Sequence, residues 1–313
     1  MHGAMDDAAG PLKCATGHTI ASLSGATRGN GGKLVQGESK KPIPDDTIRA
    51  IVDSIHPGTR AKIKLPNVIG IGSGRCGTSY LFGLLREHDD FYVSPLKEVN
   101  YFGIKQAPFT RHGWSLDDYR LCFASHNSEK HIVEISPVYI SNATCVQQIV
   151  MTLRPVRILV TIRNPLARFI SHYNFHKSKH GYDDINRYAE DALREYVPGY
   201  FNFRWNSPVK ALQFSLYTAG IKAALDALGK ANVLVLLYED LIEGDAVWKT
   251  QLGSFFGTDF SNIQVAESLK NRSTPGGKSE LDEKIKSRLI RIFAEDTARL
   301  SDLIGQDLAQ RWR

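Results

Sequence analysis

The sequence predicts an α/β fold: a P-loop-like three-layer arrangement with a central parallel sheet flanked by helices. Three observations carry that prediction. Short, largely apolar runs at 67–71, 156–162 and 233–237 alternate with segments of helical spacing. Strands that are apolar throughout belong to parallel sheets covered on both faces. A glycine-rich turn joins the first run to the first helical segment, and the second run passes directly into Asn164-Pro165, a cap residue followed by a proline suited to the first helical position.

Each element follows from its residues. NVIGI, ending at Ile71, lies between Pro66 and Gly72 and reads as a short buried strand. Thr78 to Glu87 carries Leu81, Leu84 and Leu85 at helical spacing. HIVEI at 131–135 is a second strand, and VRILVTI at 156–162 is the strongest in the chain. The helix that Asn164 caps is expected to run to about Ser178. A helix over roughly 209–228 precedes the strand VLVLL at 233–237, and a last helix covers about 280–301.

Composition bounds the rest. In 313 residues, 42% are hydrophobic and 23% charged, which excludes wholesale disorder, collagen-like and coiled-coil architectures. No aromatic residue precedes Tyr80, and glycines crowd the opening. Such a segment buries too little to offset its ordering entropy. Residues 1–45 are therefore expected to form a flexible glycine-rich tail, and residues 46–313 a single domain. The opening has no basic and apolar signal pattern, Asp6 and Asp7 count against a transit peptide, and no apolar run is long enough to span a bilayer. Cys14, Cys76, Cys122 and Cys145 form no CxxC pair, so reduced thiols and a cytoplasmic location are expected. The net charge of +6 favours an anionic ligand without choosing one.

The sharpest local signal is IGIGSGRCGTSY at 69–80. A strand, a glycine-rich turn and a helix in that order aim backbone N–H groups at a phosphate. Gly72, Gly74 and Gly77 permit the turn, Arg75 adds a permanent charge, and Thr78 and Ser79 add hydroxyls. Gly72 and Gly77 have the spacing of the triphosphatase P-loop, but Thr78 stands where that loop needs lysine. A second anion site is expected at the end of 156–162. Arg163 closes that strand, where open α/β sheets bind ligands, and Ser171 follows about two turns into the helix.

Together these segments resemble the PAPS-dependent sulfotransferases, in particular their carbohydrate (heparan-sulfate-like) and bacterial branch. Arg75-Cys-Gly-Thr78 resembles the family's 5′-phosphosulfate loop, and Arg163 to Tyr173 matches its 3′-phosphate motif R-[DN]-P-x-x-R-x-x-S-x-Y. Lys97-Glu-Val-Asn-Tyr-Phe102, Ser136-Pro-Val-Tyr139 and Tyr238-Glu-Asp-Leu241 resemble three further family segments, in the family's order. Five such segments span about two-thirds of the chain, residues 66–275.

The resemblance implies a single catalytic domain that moves a sulfuryl group from 3′-phosphoadenosine 5′-phosphosulfate (PAPS) to a hydroxyl or amine and releases PAP. It implies that Ser73, Gly74, Arg75, Cys76, Gly77, Thr78 and Ser79 bind the donor's 5′ end. Arg163 and Ser171 would hold its 3′-phosphate, with Arg272 from a late basic loop closing over it. Arg75 would also stabilise the leaving group, although many members carry lysine there and an arginine donates a proton poorly. Glu98 is the implied general base, with Glu134 the second candidate. No metal is required, and the partner is a carbohydrate or small-molecule acceptor rather than nucleic acid or membrane. Acceptor pockets would lie in residues 103–128 and 177–208.

Other groups are read more plainly. His172, His176 and His180 share one helix face, but no carboxylate or cysteine motif accompanies them, so they are read as a polar or acceptor-facing stripe. Cys76 sits beside Arg75, a neighbour that lowers a thiol pKa, and is read as a packing residue. The aromatic stretch at 200–205 suits an acceptor pocket or the core, with core the stronger reading. Two other functions fit parts of the chain: a P-loop kinase, and a non-catalytic module for anionic polymers. The first lacks its lysine, and the basic residues are too dispersed for the second.

Overall fold

A five-stranded, wholly parallel sheet carries the molecule, with strand order β2-β3-β1-β4-β5. The structure, a computed structural model, describes residues 62–103, 114–201, 207–266, 269 and 279–312, with only the backbone of 179 and 180. The expected tail at 1–45 and Arg272 lie outside the described residues.

The strands are β1 (Val68–Gly70), β2 (Phe91–Val93), β3 (His131–Ile135), β4 (Arg157–Ile162) and β5 (Val233–Leu237). The helices are α1 (Thr78–Arg86), α2 (Leu116–Leu121), α3 (Ala143–Leu153), α4 (Pro165–His180), α5 (Ile185–Glu195) and α6 (Val209–Gln213). They continue with α7 (Thr218–Leu228), α8 (Tyr238–Glu243), α9 (Ala246–Phe256), α10 (Glu283–Ile304) and α11 (Leu308–Arg311).

Alternation along the strands sorts side chains into two apolar layers. Ile69, Ile158, Val160 and Ile162 face one way, against Val146 and Ile149 of α3 and Ile221 of α7. Val68, Leu159 and Leu236 face the other way, against Leu81, Leu84 and Leu85 of α1 and Trp248 of α9. Full burial of one such isoleucine or leucine contributes roughly 1.5–3 kcal/mol. A third cluster, with Phe169 and Tyr173 of α4, Tyr188 of α5 and Leu289 of α10, forms a separate helical layer.

The expected elements are present, with adjusted ends. The helix expected over 209–228 is two helices, α6 and α7, because the chain turns at Phe214–Tyr217. There Asp296 accepts the N–H of Tyr217 at 2.7 Å. One edge strand of the sheet, β2, has no periodic signature in its three residues. Asn164 caps α4 as expected, accepting the N–H of Ala167 at 3.0 Å, with Pro165 at the first helical position. No helix among the described residues is long and apolar enough to cross a membrane.

The order of strands matters for function. Chain order moves from β1 outward to β2 and β3 on one side and then to β4 and β5 on the other, so the reversal falls beside β1. Ligands in such sheets bind at the carboxyl ends of the strands at that reversal. The glycine-rich turn leaves β1 there.

Candidate functional site

The loop between β1 and α1 is shaped by close backbone approach. Ile71 N–H donates to Leu159 O (2.9 Å) and Ser73 N–H to Thr161 O (3.1 Å), so the turn lies along β4. A side chain at Gly72 would put its Cβ 2.2 Å from the Thr161 nitrogen. Gly77 has φ 84°, and its Cβ would sit 2.9 Å from Trp248. Gly74, by contrast, faces no such wall. Arg75, a non-glycine, adopts φ 73°, a left-handed conformation that surrounding contacts must hold in place.

Those contacts come from α4. Arg75 Nε donates to Ser171 Oγ at 3.2 Å, and its guanidinium lies 4.4 Å from the centre of the Phe175 ring. Residues 171 and 175 are one helical turn apart, so one face of α4 cradles the loop cation. The two motif segments, 96 residues apart in sequence, thus meet directly. Burial, then the nearby Arg168 and Arg163, push the Arg75 guanidinium below its ordinary pKa. Three guanidinium groups gathered beside the amide-rich first turn of α1 make a field that an anion would relieve.

Arg163 closes β4, and its guanidinium stacks 4.5 Å from the Tyr238 ring. Its segment is braced by the Tyr238–Leu241 turn, where Glu239 Oε1 accepts the N–H of Asn164 at 2.8 Å. Arg163 and Ser171 share no hydrogen bond among the described residues; Ser171 instead meets Arg75. The part of the motif that sequence reading passed over is Arg168. It is fully buried, donating to Gly74 O (3.0 Å), Ala211 O (2.8 Å) and Ser215 Oγ (3.2 Å). It ties the loop between β1 and α1 to α6. Its place as the second arginine of the R-N-P-x-x-R pattern was the available signal.

Two of the residues expected at the donor turn their side chains inward. Ser73 is fully buried; its hydroxyl donates to Phe214 O (2.7 Å) and its amide to Thr161 O, so both polar groups serve the loop itself. Cys76 is also fully buried, and burial pushes its thiol up to about 11 rather than down, leaving only its backbone for a ligand. Desolvation outweighs the neighbouring arginines.

A cleft of about 230 Å³ opens over this loop. Gly74, Arg75, Thr78 and Ser79 form its floor, Lys97, Glu98, Pro137 and Val138 one wall, and His172, Phe175, His176, Lys210 and Phe214 the other. Lys97 Nζ donates to Ser79 Oγ at 2.6 Å and lies 3.7 Å from Glu98 Oε1. Glu98 is the one carboxylate among the described lining residues and is partly exposed to the cleft. Glu134, the second candidate base, is fully buried and does not line the cleft. Its place among hydroxyl donors leaves it no path to an acceptor.

Lys210 was missed by sequence reading. It is 2% exposed, its ammonium lies 5.4 and 5.6 Å from the Phe201 and Phe214 rings, and burial pushes it down to about 8. Nothing in the local pattern around 210 marks it. Tyr200, read toward the core, is 62% exposed, whereas Phe201 packs on Phe214; residues 202–206 lie outside the described residues. His172 Nδ1 is 3.1 Å from Tyr188 Oη and its ring is 4.4 Å from that of His176, and both of these histidines line the cleft.

Comparison with known proteins bears on this arrangement. The family described as Sulfotransferase domain matches residues 65–289. The membrane-associated sulfotransferase kil1 of Dictyostelium discoideum is 30% identical over 111 residues, which is 36% of this chain and 23% of that protein. The chain thus matches under a quarter of the length of that curated relative. The crystal structure of a sulfotransferase from Alicyclobacillus acidocaldarius superposes with a TM-score of 0.64 at 25% identity, covering 80% of this chain and all of that one. It shares the five-stranded parallel sheet flanked by helices. With the family match extending over well more than half of its residues, from β1 into α10, the chain belongs to the sulfotransferase domain family.

Proposed function

We propose that this protein transfers a sulfuryl group from PAPS to a hydroxyl or amine of a carbohydrate or small-molecule acceptor by in-line displacement, releasing PAP. The observation that carries this reading is the 3.2 Å contact between Arg75 and Ser171, which joins the two anion-binding segments at the reversal point of the sheet.

The residues divide the work by chemistry. The first-turn amides of α1, with Thr78 and Ser79, hold the 5′-phosphate. Arg75 stabilises the charge that grows on it as the sulfur–oxygen bond breaks. Arg163, stacked on Tyr238, binds the 3′-phosphate, and Ser171, within reach of Arg75, links the two ends. Glu98 takes the proton from the acceptor as the new oxygen–sulfur bond forms. Lys97, within hydrogen-bond distance of Ser79, supplies the transferable proton that a guanidinium gives up poorly. The wall formed by Phe175, Phe214 and Lys210 receives the acceptor. No step needs a metal.

Titration calorimetry with PAP in the presence of a chelator tests the donor site. Arg163→Ala should weaken PAP by about tenfold to a hundredfold, and Ser171→Ala by about fivefold. Wild-type affinity in both variants would remove the assignment. Glu98→Gln should keep PAP affinity while radiolabelled transfer from PAPS falls about a hundredfold or more. A kinase would instead turn over magnesium-ATP.

A further inference from the structure

Glu134 lies within β3, in register with Ile69 of β1, and is fully buried. A carboxyl group so placed is costly unless hydroxyl or amide donors surround it. Three do. Ser136 Oγ donates to it, as do Tyr119 Oη (3.0 Å) and Tyr139 Oη (3.2 and 3.3 Å to its two oxygens). Burial, foremost, pushes both phenols well above their ordinary pKa, which keeps them protonated as donors.

Two of these hydroxyls also face the segment that follows β2. Ser136 Oγ accepts the N–H of Asn100 at 2.9 Å. Tyr139 Oη accepts the N–H of Tyr101 at 2.8 Å and of Phe102 at 3.3 Å. A hydroxyl has one proton to give. Giving it to Glu134 turns the oxygen lone pairs toward those amides. The segment needs such a clamp, because Glu98 and Asn100 have φ 60° and 54°, left-handed values that side chains other than glycine adopt only under constraint. Lys97 and Glu98 of this segment line the cleft, and Lys97 reaches Ser79.

We infer that Glu134 is a positioning residue: acting through Ser136 and Tyr139, it sets the backbone of 97–102 and so presents Lys97 and Glu98 to the phosphate loop. The catalytic half of this inference rests on the function proposed above; the structural tie does not.

The test uses the full chain and three variants, Glu134→Gln, Tyr139→Phe and Tyr119→Phe. Tyr119→Phe removes a donor to Glu134 but touches no amide of the segment, so it is the comparison for simple loss of packing. Amide hydrogen exchange is followed in peptides covering 97–103 and, as reference, 72–79. Glu134→Gln and Tyr139→Phe should speed exchange at 97–103 by about tenfold or more, with 72–79 unchanged and Tyr119→Phe close to wild type. In the same two variants PAP affinity should hold, while transfer from radiolabelled PAPS to a mixture of simple sugars and phenols falls by about tenfold or more. Wild-type exchange at 97–103 in both variants would overturn the inference, and so would an equal loss of transfer in Tyr119→Phe. Tyr139→Phe, which lacks a single oxygen, decides the matter if Glu134→Gln does not fold. A wild-type chain that transfers nothing from PAPS would sink the proposed function, while the exchange result would still decide the tie.

Discussion

The floor and the near wall of the cleft are built by opposite means. The floor, residues 72–79, owes its shape to the lack of side chains: Gly72 lies against Thr161 and Gly77 against Trp248, and the loop hangs on backbone bonds to β4. The near wall, residues 94–103, owes its shape to side chains reaching it from elsewhere. Ser136 and Tyr139 hold its amides, and Gln148 of α3 accepts the N–H of Gly103 at 2.9 Å. Under the function proposed above, a floor that binds phosphate gains from rigid main-chain donors. The wall that carries the Glu98 carboxylate and the Lys97 ammonium can be adjusted through a few hydroxyls. Main-chain approach shapes one side, and side-chain hydroxyls and an amide shape the other.

Substitutions separate the two constructions. The largest effect is expected at the floor. Gly72→Ala should destabilise the protein by about 3 kcal/mol, because the new methyl group meets backbone that cannot give way, and the denaturant midpoint would show it. An unchanged midpoint would mean that the loop is not pinned to β4. At the wall, function should fail before stability does. Lys97→Met should lower transfer from PAPS by about a hundredfold with PAP affinity and denaturant midpoint retained; full turnover would make Arg75 sufficient on its own.

The smallest effect is a pH dependence. Burial raises the Glu134 carboxyl from its ordinary 4.5 to about 7. A carboxyl raised on folding stabilises fully below its ordinary value and loses that contribution as pH climbs through the window up to about 7. The urea midpoint of the wild type should therefore fall between about pH 5 and about pH 8 by more than that of Glu134→Gln. Equal falls would show that Glu134 titrates alike in the folded and unfolded chain.

The same contrast explains what the sequence disclosed. The floor was legible because glycines at fixed spacing after an apolar strand have one structural use, and the Asn164-Pro165 start of α4 is equally local. The placement of Glu98 in the cleft followed from its segment's resemblance. The Glu134 nest was not legible, since it needs Tyr119 of α2, Ser136 just after β3 and Tyr139 of the turn at 139–141 brought together. Ser136-Pro-Val-Tyr139 was visible as a pattern without a reason; the reason lies in which amides its hydroxyls meet. Lys210 and Arg168 were passed over likewise, because burial of a cation depends on partners far off in the chain. The expected continuous helix at 209–228 failed where Asp296 of α10 claims the amide of Tyr217.

Arg168 has one further consequence. Its guanidinium is shared between the carbonyl of Gly74 and the carbonyl of Ala211, so the turn between β1 and α1 and the start of the far wall hang from one peg. Anyone wishing to graft a new specificity onto this scaffold should splice upstream of position 207 and leave 211–215 intact. A transplant crossing that boundary would loosen that turn as well, and with it the nucleotide grip proposed for it.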